Sequence, residues 1–132
     1  MSDRSDFLAW IRTELAEAER AIHNGNPAPR RALWSRNKPV SVMGAWRNAF
    51  GQQELDNLFA VLANQFSDCL SYKFELLAYN VLGDMSYTAR LEHTFASVKD
   101  EHRNYVLRAT QIYRREDGAW RVAHRHADTV TG

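Results

Sequence analysis

The residues best suited to chemistry crowd toward one end of this chain, in AWRVAHRHAD, residues 119–128. Read as a strand, the stretch alternates: Trp120, Val122, His124, His126 and Asp128 on one face, Arg121, Ala123, Arg125 and Ala127 on the other. Two imidazoles and a carboxylate that follow a tryptophan and a valine onto the same face suit general acid–base work. An imidazole of unperturbed pKa ~6.5 accepts and returns a proton near neutrality. A carboxylate beside it fixes the tautomer, or becomes the base itself where desolvation raises its pKa. The expected catalytic residues are therefore His124, Asp128 and His126. Enolisation, aldol-type cyclisation, dehydration or hydration of a small apolar molecule are the reactions such a site serves. The same residues also fit a purely structural network, since buried polar groups need partners whether or not they catalyse anything.

A metal centre is the competing chemistry. His124-x-His126 places two imidazoles on one strand face, and His93 or Asp128 would supply a third ligand. In the expected register His93 lies level with Asp128 with Leu107 between them, a long reach. A metal-free pocket without a cofactor is the reading preferred.

These side chains need elements to hold them. Residues 6–22, DFLAWIRTELAEAERAI, place Phe7, Trp10, Ile11, Leu15, Ala18 and Ile22 at helical spacing, with Asp6 as N-cap and Asn24-Gly25 as the stop. Pro27 and Pro29 open a short helix toward Leu33 and Trp34. PVSVM, residues 39–43, predicts a short strand leading to Gly44. Residues 52–66 form a second helix, with Leu55, Leu58, Phe59, Leu62 and Phe66 on one stripe. The period then changes to two. Strands are expected over 70–82, 85–97, 105–115 and 119–130, with turns at Gly83-Asp84 and Glu116–Gly118 and a polar loop, KDEHRN, at 99–104. Helices followed by a four-strand antiparallel meander predict an α+β fold.

Splitting each strand by alternation gives an expected concave face of Tyr87, Ala89, Leu91, His93 and Phe95, then Tyr105, Leu107, Ala109, Gln111 and Tyr113, then the 120–128 set above. The opposite face carries Arg90, Glu92, Arg108, Arg114, Arg121 and Arg125, read as solvated or facing a dimer partner. The short EDG hairpin sets Gln111 opposite His124, Ala109 opposite His126 and Leu107 opposite Asp128. Gln111, His93, Tyr87 and Tyr113 are thus expected ligand contacts. GAWRNAFG, residues 44–51, is the candidate pocket-mouth loop, and Trp46 joins the ligand-binding set.

Composition bounds the rest. The chain has 132 residues and a formal net charge of +1, which fits one globular domain and argues against a nucleic-acid partner. Its single cysteine, Cys69, excludes an internal disulfide and reads as a plain buried thiol of a reducing compartment. No apolar run reaches signal-peptide or membrane-spanning length. The expectation is a cytoplasmic protein with neither membrane nor nucleic acid as partner.

Two amphipathic helices, a curved antiparallel sheet and the segment LRATQIYRREDGAWRVAHRHAD, residues 107–128, resemble the nuclear-transport-factor-2-like superfamily, closest to its ketosteroid-isomerase-like and SnoaL-like branch. The resemblance implies a cone-shaped, cystatin-like α+β domain over residues 1–132, a pocket between the concave sheet and the helices, and a homodimer packed through the outer sheet face. Such families hold isomerases, cyclases and dehydratases beside binding modules without chemistry, so fold does not fix function. The positions that act in ketosteroid isomerases fall near Ala18, Met43 and Gln111 here, and none of those can do the corresponding job. The expected function is a small-molecule-binding SnoaL-like protein with metal-free acid–base chemistry of the cyclase, isomerase or dehydratase type. The alternative is a non-catalytic homodimeric ligand-binding or interaction module.

Overall fold

A computed structural model describes residues 3–130. Its first helix runs as α1, Asp3–Trp10, through a π-helical stretch, Ile11–Leu15, into α2, Ala16–Ile22. The buried positions Phe7, Ile11, Leu15 and Glu19 are four apart. At 3.6 residues per turn each such step drifts about 40° around an α-helix. The wider π turn takes up part of that drift and keeps Glu19 on the face of Phe7, pointed inward. A short helix, α3, Ala28–Leu33, follows a turn at residues 23–25, and α4 spans Gln52–Gln65. The apolar stripe Leu55, Leu58, Phe59 and Ala63 of α4 is buried, as its periodicity requires.

Six strands form one mixed sheet: β1, Ser41–Gly44; β2, Ala49–Phe50; β3, Phe66–Leu82; β4, Met85–Val98; β5, Glu101–Glu116; and β6, Ala119–Thr129. Their spatial order is β2-β1-β6-β5-β4-β3, with β1 parallel to β6 and the other pairings antiparallel. The expected meander is therefore β3 to β6, extended at one edge by β1 and β2. The polar loop shrinks to a turn at Lys99-Asp100, both at positive φ, because residues 101–104 join β5 and pair with β4. Phe7, Ile11, Leu15, Trp34, Leu58, Phe59, Tyr113, Trp120 and Val122 pack together as the core between the helices and one sheet face.

That core face is not the one alternation predicted along the whole of β6. The hairpin register holds at its turn, where Glu116 faces Ala119 and Tyr113 faces Val122. Then Ile112 faces His124, so Ala123 is an extra residue, a β-bulge. A bulge reverses the alternation beyond it. Trp120 and Val122 point inward, and so do Arg125 and Ala127. His124, His126 and Asp128 are turned to the convex face. The register shifts with them: Gln111 faces Arg125, Ala109 faces Ala127 and Leu107 faces Thr129. Strand β6 changes neighbour at the same place, since Ser35 N–H donates to the Val122 carbonyl at 2.8 Å and β1 pairs with 124–127.

On β4 the two faces are exchanged for a different reason. Ser86, Thr88, Arg90, Glu92, Thr94 and Ala96 are buried, whereas Tyr87 is 41% exposed and Phe95 37%. Hydrophobicity misassigns this strand because Thr88 and Glu92 find buried polar partners on the inner face while its apolar residues lie on the outer face.

Gly44 closes β1 at φ +68, directly opposite Ala127 of β6. A Cβ built there would run into the Ala127 carbonyl oxygen. Gly44→Ala is expected to destabilise the fold by about 1–3 kcal/mol, from strained backbone plus lost strand pairing. Urea unfolding monitored by far-UV circular dichroism measures it, and an unchanged midpoint would contradict this account of β1.

Candidate functional site

Alternation on β4, β5 and the post-bulge half of β6 brings a polar group together on the concave face. Thr88, Gln111 and Arg125 lie side by side in register, with Glu92 four residues further along β4 on the same face. Arg125 reaches diagonally across β5. Its Nη1 donates to Glu92 Oε2 at 2.9 Å, its Nη2 donates to Glu92 Oε1 at 2.5 Å, and Nη1 also donates to Gln111 Oε1 at 3.1 Å. Gln111 Nε2 donates to the Tyr113 hydroxyl at 2.7 Å, which lies 2.8 Å from Thr88 Oγ1. Arg90 sits beside them, Nη2 2.7 Å from Glu92 Oε2, and its guanidinium lies 4.8 Å from the centroid of the Phe74 ring. Burial alone would raise the Glu92 carboxyl, but Arg125 and Arg90 outweigh it and hold it well below the usual carboxylate range. Glu92 is therefore an anchor and too weak a base for proton abstraction.

The helices supply the facing half. Glu19 of α2 and Arg30 of α3 form a buried ion pair, which ties the two helices together across the turn. Burial would raise Glu19 too, and Arg30 with Arg125 brings it below its ordinary value. His23, at the end of α2, has Nδ1 2.6 Å from the Glu19 carbonyl oxygen and Nε2 2.9 Å from the Tyr105 hydroxyl. A carbonyl only accepts, so Nδ1 carries the hydrogen, and in the neutral ring Nε2 accepts from the Tyr105 O–H. Burial lowers the His23 pKa and so favours that neutral form. The same desolvation pushes the Tyr105 phenol up, which keeps it a hydrogen-bond donor. The Tyr72 hydroxyl, Arg30 Nε and Arg90 Nε are buried without a hydrogen-bond partner among the described residues, and Arg90 Nη2 meets Glu92 as an ion pair without hydrogen-bond geometry.

A cavity of about 460 Å³ opens over this floor. Ile22, Val42, Leu58, Leu62, Phe66 and Leu107 form its apolar walls, and His23, Arg30, Glu92, Thr94, Tyr105 and Arg125 its polar side. Its mouth includes Gly44, Ala45, Trp46 and Arg47, with the Arg47 guanidinium stacked 4.8 Å from the Trp46 ring centroid. Trp46 is 53% exposed there.

The other residues singled out from the sequence divide by face. Gln111 and Tyr113 are on the concave side, fully buried beneath the cavity, where they brace Arg125. Tyr87 and His93 are on the convex side of β4, and neither lines the cavity. His124 is half-buried on that convex side, its Nδ1 2.7 Å from Ser41 Oγ, with burial and then His126 lowering its pKa. Asp128 forms an exposed bidentate pair with Arg108, at 3.0 and 2.5 Å. The bulge at Ala123 is the physical reason that all three expected catalytic groups miss the cavity. Among the described residues no three His, Cys, Asp or Glu side chains converge as metal ligands. No helix among the described residues is long and apolar enough to cross a membrane.

Sequence reasoning missed Arg90, Glu92, Arg125, Glu19, Arg30 and His23. Two signals were present. Arg90 and Glu92 alternate with Thr88 and Thr94 on one β4 face, and Arg125 is flanked on its own face by the small residues Ala123 and Ala127. A long cation needs small neighbours to lie across a sheet.

The family model of the SnoaL-like domain matches residues 5–130. Among solved structures, a ketosteroid isomerase-like protein from Erwinia carotovora atroseptica superposes with a TM-score of 0.73 at 13% identity, covering 95% of this chain and 97% of that one. A dehydratase candidate of the NTF2-like family from Streptomyces avermitilis gives 0.72 at 18% identity, over 95% and 94%. An NTF2-like superfamily protein from Salmonella enterica serovar Typhimurium gives 0.71 at 17%, over 95% and 94%. At these identities the likeness shows a shared fold. No curated protein matches the chain.

Glu92 and Arg125 yield a quantitative expectation. Glu92→Gln leaves two buried guanidiniums without their carboxylate and is expected to cost about 3–5 kcal/mol. The paired change Glu92→Leu with Arg125→Met is expected to cost less than the single one. Equilibrium denaturation of both variants checks the order, and the reverse order would refute a coupled pair.

Proposed function

The chain belongs to the SnoaL-like domain family, and we propose that it is a homodimeric small-molecule-binding protein whose ligand fills the cavity between the helices and the concave sheet. The observation that carries this reading is the cavity itself: about 460 Å³ of space with apolar walls and convergent polar groups on one side. That is the ordinary make-up of a site for a small organic molecule. The ligand's body lies against Leu58, Leu62 and Phe66, and its polar end meets Arg30, Arg125 and Tyr105. Fold likeness to a ketosteroid isomerase-like protein and to a dehydratase candidate supports small-molecule work in this place.

A second reading adds a proton-transfer step, and the His23–Tyr105 pair favours it. Among the described residues His23 is the one imidazole lining the cavity. Its Nδ1–H is fixed on a backbone carbonyl, so Nε2 is the end with a lone pair. When Tyr105 turns its O–H onto a ligand carbonyl, Nε2 is freed to take a proton from the adjacent carbon. Tyr105 then stabilises the enolate oxygen, and His23 returns the proton elsewhere on the substrate, as isomerisation or dehydration requires. Glu92 and Glu19 remain ionised supports throughout.

Dimerisation is read from the convex face. Tyr87, Ala89 and Leu91 of β4 lie beside Ile112, Thr110 and Arg108 of β5, an apolar strip bordered by charges. A contiguous patch of this kind on a sheet suits a self-complementary, two-fold contact. Light scattering is expected to give a dimer for the unaltered protein and a monomer for Leu91→Arg. A monomeric unaltered protein would sink the dimer.

The cavity is tested with 2-acetylnaphthalene, a neutral ketone of suitable size, by ligand-observed NMR titration. Binding is expected, with Leu62→Trp weakening it at least about 10-fold by filling the wall, while circular dichroism stays unchanged. Affinity indifferent to that substitution would place the ligand elsewhere and overturn the reading.

A further inference from the structure

Buried charge in this molecule does not balance. Among the described residues the buried ionised side chains are Glu19, Glu92, Arg30, Arg90 and Arg125, two carboxylates against three guanidiniums. His23, buried with them, adds no charge in its neutral form. A guanidinium does not shed its proton in a protein, so the excess cannot be relieved by titration. An uncompensated buried charge is costly, and proteins pair such groups or bring in a counter-ion.

Two of the three buried guanidiniums, Arg30 and Arg125, line the cavity. Four guanidiniums line it, those of Arg30, Arg47, Arg103 and Arg125, against one carboxylate, Glu92. They are not equivalent. Arg125 already spends Nη1 and Nη2 on Glu92 and Gln111. Arg103 pairs with Glu101 at 3.2 Å on the surface, and Arg47 lies over Trp46 at the mouth. Arg30 is different: one end of its guanidinium is held by Glu19, while Nε is buried with no partner. Its plane is fixed by the Phe59 ring, 5.2 Å from the guanidinium carbon. A group that is buried, oriented, charged and only partly bonded lacks an acceptor.

We propose that the ligand of this cavity is a monoanionic organic acid whose carboxylate seats on Arg30, with its apolar body along Leu58, Leu62 and Phe66. This rests on the small-molecule-binding reading and specifies its ligand class. One carboxylate closes the count of three cations against two anions. A dianion such as a phosphate monoester would reverse the imbalance, and a bare inorganic ion would leave the apolar walls without an occupant. The hydrogen bond formed is charge-assisted, the strong kind for a buried site.

The test compares 2-naphthoate with 2-naphthamide, two molecules of the same shape, one charged and one neutral, by titration calorimetry on the unaltered protein. The carboxylate is expected to bind about 10-fold or more tightly, the range of a charge-assisted bond over a neutral one. Arg30→Gln is expected to remove the preference, and the unaltered protein decides even where that variant folds poorly. Equal affinities, both weakened by Leu62→Trp, would overturn the carboxylate and leave the cavity reading standing. Binding of neither molecule, or binding of both indifferent to Leu62→Trp, would overturn the cavity reading with it. A preference lost with Arg47→Gln and Arg103→Gln, but kept with Arg30→Gln, would move the anion to the rim and refute the seat on Arg30.

Discussion

The bidentate pair between Glu92 and Arg125 crosses β5 and so fastens β4 to β6 through side chains, beneath the backbone ladders that join neighbours. Much else follows from accommodating it. Arg125 needs Gln111 as a second acceptor, and Gln111 is held by Tyr113, which is held by Thr88. Arg90 needs the same carboxylate and the face of Phe74. None of these groups has water to fall back on, so each must be met by another protein group or by something bound. The interior of this sheet is therefore organised as an ionic lattice with apolar margins, and the cavity is where that lattice is left open.

The elements were legible because they follow from local periodicity. Phe7, Ile11, Leu15 and Ile22 mark the first helix, Leu55, Leu58 and Phe59 the last, and alternation with Gly83 and Gly118 at the turns marks the strands. The concave set of β5 was legible too, since Gln111 and Tyr113 sit among apolar neighbours on one face. The site itself was not legible, for two separate reasons. On β4 the usual link between hydrophobicity and inwardness fails, because Arg90 and Glu92 cancel each other's cost while Tyr87 and Leu91 face outward. On β6 the link holds for Trp120 and Val122 and breaks at one residue, Ala123, whose extra place in the strand no composition rule announces. His23 and Glu19 went unread because an apolar helix face with two polar members reads as an ordinary amphipathic edge.

The solved relatives share this architecture at 13–18% identity, which explains how little of the interior needs to be shared for the fold to stand. What the fold supplies is a curved sheet, helices over one side and a space between them. What the chain supplies is the polarity of that space. Here it is basic and rich in donors, with the neutral His23–Tyr105 pair at its edge, whereas the isomerase-type acids have no counterpart among Ala18, Met43 and Gln111.

The bulge at Ala123 has a consequence for anyone aligning this chain to its kin. Strand pairing beyond it runs one step out of phase, so HRH in two relatives is the same text with opposite meanings if only one of them carries the insertion. One chain would offer its pocket an arginine, the other two histidines, and a column-by-column comparison would report them as identical. Kinship in this part of the fold has to be judged by which way a side chain faces, and a single-residue gap placed before His124 separates a basic pocket from an imidazole one.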